Sequence, residues 1–229
     1  MTYVISDIHG QYDAYIKMLE KIRFSADDML YIDGDILDRG KSPIKVVLDV
    51  MKRPNVVCLA GNHEYMAMKC LKYLNGETLR LNYSTLGNIY DWMSNGGETT
   101  IEEFRQLDDK LRGSVIEFIG DFELYEELRI NGRDYIIVHG GLGNFEPEKP
   151  LYEYAPEELL WTRADYSKPY FRDKFVVTGH TPTQIIEANP RPGYIYRVND
   201  HIAIDCGASM GGRLGCICLE SGEEFYVDC

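Results

Sequence analysis

Apolar runs alternating with loops predict strand–loop–helix units at the start of the chain. Residues 2–6 (Thr-Tyr-Val-Ile-Ser) predict a short buried strand. Tyr12, Tyr15, Ile16, Leu19 and Ile22 then recur at helical spacing across residues 11–23. Residues 29–32 predict a second strand. Ser42 followed by Pro43 supplies an N-cap and a proline at the first helical position. Ile44, Val47, Leu48 and Met51 line one face of the helix they open. Residues 55–60 and 65–74 repeat the strand and helix pattern. This regular alternation predicts a largely parallel sheet flanked by helices.

The pattern then changes. Residues 75–120 are polar with helical spacing, broken at Asn95-Gly96-Gly97, and predict a helical insertion acting as a lid or cap on a single domain spanning 1–229. Residues 123–130 and 133–138 are apolar runs joined by Asn131-Gly132, a strong hairpin signal. Residues 174–178 predict another strand, and short strands follow at 194–197, 201–205, 216–219 and 224–227. His201 follows Asn199-Asp200 and is expected in a hairpin turn, as an ordinary surface histidine. There is no internal repeat and no low-complexity segment.

Composition narrows the classes. A chain of 229 residues, 45% hydrophobic, suits one α/β domain with a sizeable core. Its 17 tyrosines are scattered, which fits packing better than a base-stacking platform. The formal charge of -13 repels a phosphate backbone and argues against nucleic acid as partner. It would equally repel a phosphorylated substrate, so metals and arginines would have to dominate locally. None of the six cysteines forms a Cys-x-x-Cys pair. Cys216 and Cys218 alternate along a strand and are expected in the core. The first residues lack a secretory pattern, and no apolar stretch approaches the roughly 18 residues of a membrane span. Reduced thiols, a cytoplasmic location and no membrane partner are the expectation.

Candidate chemistry concentrates in five motifs that hold four of the five histidines: Asp7-Ile8-His9-Gly10, Gly34-Asp35-Ile36-Leu37-Asp38-Arg39-Gly40, Gly61-Asn62-His63-Glu64, His139-Gly140-Gly141 and Gly179-His180-Thr181. The first three are placed where a strand has ended and its helix has not begun, the edge where open α/β sheets bind ligands. On an extended backbone Asp7 and His9, two apart, would point the same way and grip one ion. Asp35 lies between Gly34 and Gly40, and its two oxygens could bridge two ions. Asn62 offers a neutral oxygen. His63 is suited to protonating a departing alkoxide, with Asp38 to orient it, though a buried structural histidine is the competing reading. His139 and His180 each end an apolar strand. Oxygen and imidazole donors, a spare histidine and an arginine make a kit for hydrolysing a phosphate ester with two metal ions.

Together these motifs resemble the phosphoprotein phosphatase branch of the calcineurin-like metallophosphoesterases, and within it the small bacterial and phage serine/threonine phosphatases. Asn95-Gly96-Gly97, Leu160-Trp161-Thr162-Arg163 and Ile204-Asp205-Cys206-Gly207-Ala208 resemble further elements of that group. The resemblance implies an α/β fold of two packed mixed β-sheets flanked by helices. It implies one metal held by Asp7, His9 and Asp35, and a second held by Asp35, Asn62, His139 and His180. His63 would be the general acid paired with Asp38, and Arg39 and Arg163, with Asn62, would hold the phosphate. Two divalent ions are implied, manganese first, with iron or zinc also suited. The implied reaction is hydrolysis of phosphoserine and phosphothreonine monoesters by direct attack of a water activated between the ions. A rival on the same scaffold is a bis(5'-nucleosyl)-tetraphosphate hydrolase. Relatives of that kind often carry an uncharged residue where Asp38 stands and Asp where Glu64 stands. A more distant rival is an inactive phospho-binding module, which would be expected to have lost a ligand or the acid. The loop that eukaryotic members carry near the C-terminus is not recognisable, so their substrate contacts do not transfer.

Overall fold

The computed structural model describes residues 1–76 and 83–229. Three parallel strands open the chain: β1 (Thr2–Ile5), β2 (Met29–Asp33) and β3 (Val56–Leu59). They are joined by α1 (Tyr12–Lys21) and α2 (Pro43–Val50), the second opened by Pro43. Next, α3 (Asn62–Leu74) begins earlier than its apolar spacing predicts. Gly61 is its N-cap, so Asn62, His63 and Glu64 form its first turn rather than a loop ahead of it. The predicted insertion is helical: α4 (Tyr83–Ser94), α5 (Glu98–Arg105) and α6 (Asp109–Gly120). Its residues 77–82 lie outside the described residues.

A second sheet follows. Strands β4 (Tyr125–Ile130) and β5 (Arg133–Val138) form the predicted hairpin. Asn131 and Gly132 have φ of 50° and 79°, the left-handed pair that a tight primed turn needs. A short helix, α7 (Pro156–Leu160), lies in a segment whose sequence carries no clear periodicity. Then β6 (Lys174–Thr178), β7 (Tyr196–Val198) and β8 (His201–Ala203) complete the sheet, in the order β4-β5-β6-β8-β7. The chain crosses back to the first sheet with β9 (Arg213–Cys218), antiparallel to β1, and β10 (Glu224–Asp228) at its edge.

The period of two along each strand sorts its side chains between layers. Val4, Tyr31 and Leu59 of the first sheet meet Ile137, Val177 and Ile202 of the second in the space between the sheets. Tyr3, Ile5 and Ile32 point the other way, onto Tyr15 and Met18 of α1, Val47 of α2, and Trp92 and Phe104 of the insertion. Cys216 and Cys218 join this layer, as their alternation predicts. Ile136, Val138 and Val176 face outward from the second sheet onto Leu159, Tyr166 and Tyr170. Each fully buried aliphatic side chain contributes about 1.5–3 kcal/mol. All six cysteines are free, five of them buried. Among the described residues no helix is long and apolar enough to cross a membrane.

His201 corrects the sequence reading. The Asn199-Asp200 turn, with φ of 47° and 61°, ends just before it. His201 is the first residue of β8 and is buried. Its ring packs edgewise on Tyr166 and Tyr170 at 5.4 and 4.6 Å, and Nε2 donates to the Lys168 carbonyl at 3.1 Å. The two aromatic neighbours lie some thirty residues upstream on the chain, as the 33-residue separation of the Lys168 bond shows, so no local pattern announces them.

Candidate active site

The loops after β1, β2, β5 and β6 and the first turn of α3 meet at one edge of the two sheets. Asp7, His9, Asp35, Asp38, Arg39 and His180 all adopt left-handed backbone, with φ of 50°, 44°, 54°, 70°, 63° and 58°. Such conformations cost roughly 1–2 kcal/mol per non-glycine residue. They persist where surrounding structure over-determines them, typically at functional sites. Here the first two loops are laced together: the N–H groups of Asp7, His9 and Gly10 donate to the carbonyls of Gly34, Asp35 and Ile36 at 3.1, 2.8 and 3.0 Å. The extended path expected from Asp7 to His9 is therefore not the one adopted. The two side chains converge by a tight left-handed loop instead. Gly61 matters because a Cβ there would collide with the Asp35 carboxylate. Its absence lets α3 approach until the His63 N–H donates to Asp35 Oδ1 at 3.0 Å.

Asp35 is the centre of a buried donor cluster. Its Oδ2 lies 3.3 Å from His139 Nε2, 3.5 Å from His9 Nε2 and 3.9 Å from His63 Nε2. Two overlapping groups bring their donor atoms within 4.8 Å of one another: His9, Asp35 and His63, and Asp35, His139 and His180. Asn62 Oδ1 stands 3.1 Å from His139 Nε2 and so adjoins the second group. In the first group His63 takes the place expected of Asp7. Asp7 stays close, with Oδ1 3.9 Å from His9 Nε2, while its Oδ2 accepts the His180 N–H at 3.0 Å. All the predicted ligands thus come together, with His63 nearer than the spacing of the motifs suggests.

The donors suit a divalent cation. His9 Nδ1 donates to the Leu37 carbonyl at 2.9 Å and His139 Nδ1 to that of Asp33 at 2.8 Å, so each ring turns its Nε2 toward the cluster. Burial lowers His9 to about 3 and, with the charge of His139, His180 to about 3. Both are neutral, ligand-ready imidazoles at neutral pH. Burial, with Asp205 beside it, lifts Asp7 well above the usual carboxylate range. Burial opposes charge on Asp35 too, but His139, His63 and His9 outweigh it and hold its pKa well below the usual value. Burial likewise opposes charge on His139, where Asp35, Asp7 and Asp33 prevail and raise it. Crowded buried carboxylates are stabilised by a bound cation, the neutral His9 and His180 imidazoles are free to ligate one, and oxygen with imidazole nitrogen is a first-row divalent set.

At the rim, His63 Nδ1 donates to Asp38 Oδ2 at 2.6 Å, and both side chains are fully buried. Burial works against the charged imidazole, yet Asp35 and Asp38 outweigh it and raise the His63 pKa. Asp38 is held in turn by Trp92 Nε1 at 2.8 Å and by Thr100 Oγ1 at 2.5 Å, both from the insertion. Exposed Arg39 reaches His9 Nε2 and His63 Nε2 through its two terminal nitrogens, at 3.0 and 2.9 Å. Exposed Arg163 donates to the His180 carbonyl at 3.4 Å and Thr181 Oγ1 at 3.3 Å, which sets it beside His180, whereas Arg39 sits beside His9 and His63. Trp161 beside it is 38% exposed, its ring edge-on to Tyr65 at 5.6 Å.

The sequence reading missed the roles of three residues here, although Glu64 stands in one of the motifs. Glu64 is buried, and its carboxylate accepts four backbone N–H groups: those of Asp35, Ile36, Leu37 and Gly61, at 2.7, 3.0, 3.1 and 2.8 Å. A glutamate three residues after a helix N-cap is the available signal, because that position reaches back to the cap. Trp92 and Thr100 meet Asp38 from 54 and 62 residues away and carry no such signal.

The model of the calcineurin-like phosphoesterase family matches residues 2–197. An asymmetrical bis(5'-nucleosyl)-tetraphosphatase PrpE of Bacillus velezensis is 30% identical over 92% of this chain and 86% of its own length. Serine/threonine-protein phosphatase 2 of Salmonella typhimurium is 27% identical over 70% of this chain and 67% of its own. Among solved structures, one described as a putative diadenosine tetraphosphatase superposes with a TM-score of 0.67 at 20% identity, over 99% of this chain and 92% of that one.

Proposed function

The chain belongs to the calcineurin-like phosphoesterase family, hydrolases that use divalent metal ions, and on that premise we propose that it hydrolyses phosphoserine and phosphothreonine monoesters. The observation that carries this reading is the buried 2.6 Å contact between His63 Nδ1 and Asp38 Oδ2. An alkoxide is a poor leaving group and departs only if it is protonated. A nucleotide phosphate is a good one and has little use for a dedicated acid. A chain that buries a histidine–aspartate pair beside the cluster is equipped for the harder departure.

In this reading Asp7, His9 and Asp35 hold one ion, and Asp35, Asn62, His139 and His180 hold the other, both proposed to be manganese. The chemistry two such ions supply is acidification of an attacking water and neutralisation of phosphoryl charge. Arg39, beside His9 and His63, and Arg163, beside His180, clamp the phosphoryl oxygens with Asn62 alongside. His63 Nε2, which accepts from Arg39, would deliver a proton to the departing oxygen once Arg39 turns to the phosphoryl group, while Asp38 fixes the ring and balances its charge. No covalent phosphoenzyme is needed, so the buried cysteines take no part. A soluble cytoplasmic location with reduced thiols goes with the same reading.

A second reading, an asymmetrical bis(5'-nucleosyl)-tetraphosphatase, is favoured by the PrpE relative, which aligns over more of the chain than the protein phosphatase does. The two separate on the manganese-loaded protein by kcat/KM for a phosphoserine peptide and for diadenosine tetraphosphate. The first reading expects the peptide to be preferred. A clear preference for the dinucleotide overturns it in favour of the second.

A further inference from the structure

The insertion does more than cover the core. Asp38, at the tip of the β2–α2 loop, has its carboxylate engaged on both oxygens: Oδ2 by His63 Nδ1 and Trp92 Nε1, Oδ1 by Thr100 Oγ1. The polarity of this network is fixed by its donors. Indole nitrogen can only donate. The Thr100 hydroxyl already accepts the Asp38 backbone N–H at 3.0 Å, so its single proton goes to Oδ1. Asp38 is therefore an acceptor at every contact, and His63 Nδ1 must carry a hydrogen. That leaves Nε2 as the atom that exchanges a proton with substrate.

The scaffold around this contact is tight. Trp92 is fully buried, and a Cβ on Gly97 would come within 2.8 Å of its ring. The turn between α4 and α5 also holds the next residue: Gly96 accepts the Arg39 N–H at 3.0 Å, and the Asn95 carbonyl lies 3.4 Å from Arg39 Nε. Glu103 of α5 accepts the Ile44 N–H at 2.8 Å and so ties the insertion to the start of α2. Acid and clamp are thus steadied by one inserted unit.

We propose that Trp92 and Thr100 are positioning residues that hold Asp38, and through it His63, so that the insertion sets how poor a leaving group the site can expel. This rests on the reading of His63 as proton donor. Substrates whose leaving group departs unaided do not need the aligned proton; alkyl phosphates do.

The test is kcat across a leaving-group series on the manganese-loaded full chain, from p-nitrophenyl phosphate through phenyl phosphate to a phosphoserine peptide. Trp92→Phe and Thr100→Val each remove one hydrogen bond to a charged group while nearly preserving shape. Each should lower kcat for the peptide about ten- to a hundredfold, with a far smaller loss on p-nitrophenyl phosphate and little change in KM. Thr100→Ser, which keeps the hydroxyl, should restore the wild-type slope even if Trp92→Phe folds poorly. Equal losses across the series, or losses confined to KM or melting temperature, overturn the proposal. His63→Asn in parallel separates the two claims. If it fails to steepen the series, the proton-donor reading itself falls. If it steepens the series and the Trp92 and Thr100 variants do not, only the positioning role falls.

Discussion

At the scale of single residues, burial decides roles that the chain alone leaves open. His201 is the instructive case. A histidine after Asn-Asp reads as part of a turn, yet its ring is enclosed by Tyr166 and Tyr170. Burial lowers its pKa below the usual histidine value. The folded state then takes up this proton only at lower pH than the unfolded chain does. The stabilisation is complete above the unfolded value, near 6.5, and drains away as pH falls through that value toward the lowered one. Urea midpoints measured at pH 7.5 and 5.5 should therefore fall more for the wild type than for His201→Phe. Equal losses in both proteins would show that His201 is not held neutral. His63 and Asp38 illustrate the converse: their pairing was legible because both types stand in motifs with a chemical reason to meet. The hydrogen bonds from Trp92 and Thr100 were not, since they span 54 and 62 residues.

At the scale of elements, the strands and the insertion follow from apolar spacing, and the departures lie where side chains reach backbone. The apolar face of α3 points to a start near residue 65, but the helix begins at Asn62 because Gly61 and Glu64 close its first turn. Glu64 does this while accepting three further N–H groups from the β2–α2 loop. It therefore staples the turn that presents Asn62 and His63 to the loop that presents Asp35. Burial, with Asp35 nearby, raises its own pKa to about 7, a cost those four donors offset. Glu64→Ala would leave the donors without their acceptor and should lower stability by roughly 2–4 kcal/mol, read from urea denaturation. A loss within about 0.5 kcal/mol, the range of an ordinary surface substitution, would contradict the staple. The segment 139–173 was the least legible part of the fold. Its α7 is a single short turn of helix packed against the second sheet, too brief to show a period.

At the scale of the whole molecule, two mixed sheets bring loops from both halves of the chain to one edge, and Asp35 is where the two sets of donors overlap. The order of the motifs along the chain already implies this much, since each lies next to a strand end. What it could not carry was the left-handed backbone at six of these residues, which replaces the extended path from Asp7 to His9. On the proposed function, one carboxylate, that of Asp35, serves two cations. Titration calorimetry with manganese tests it without recourse to turnover. The wild type should bind two equivalents per chain, His180→Ala should lose one of them, and Asp35→Ala should lose both at concentrations that saturate the wild type. Two equivalents retained by Asp35→Ala, or a single equivalent bound by the wild type, would contradict it.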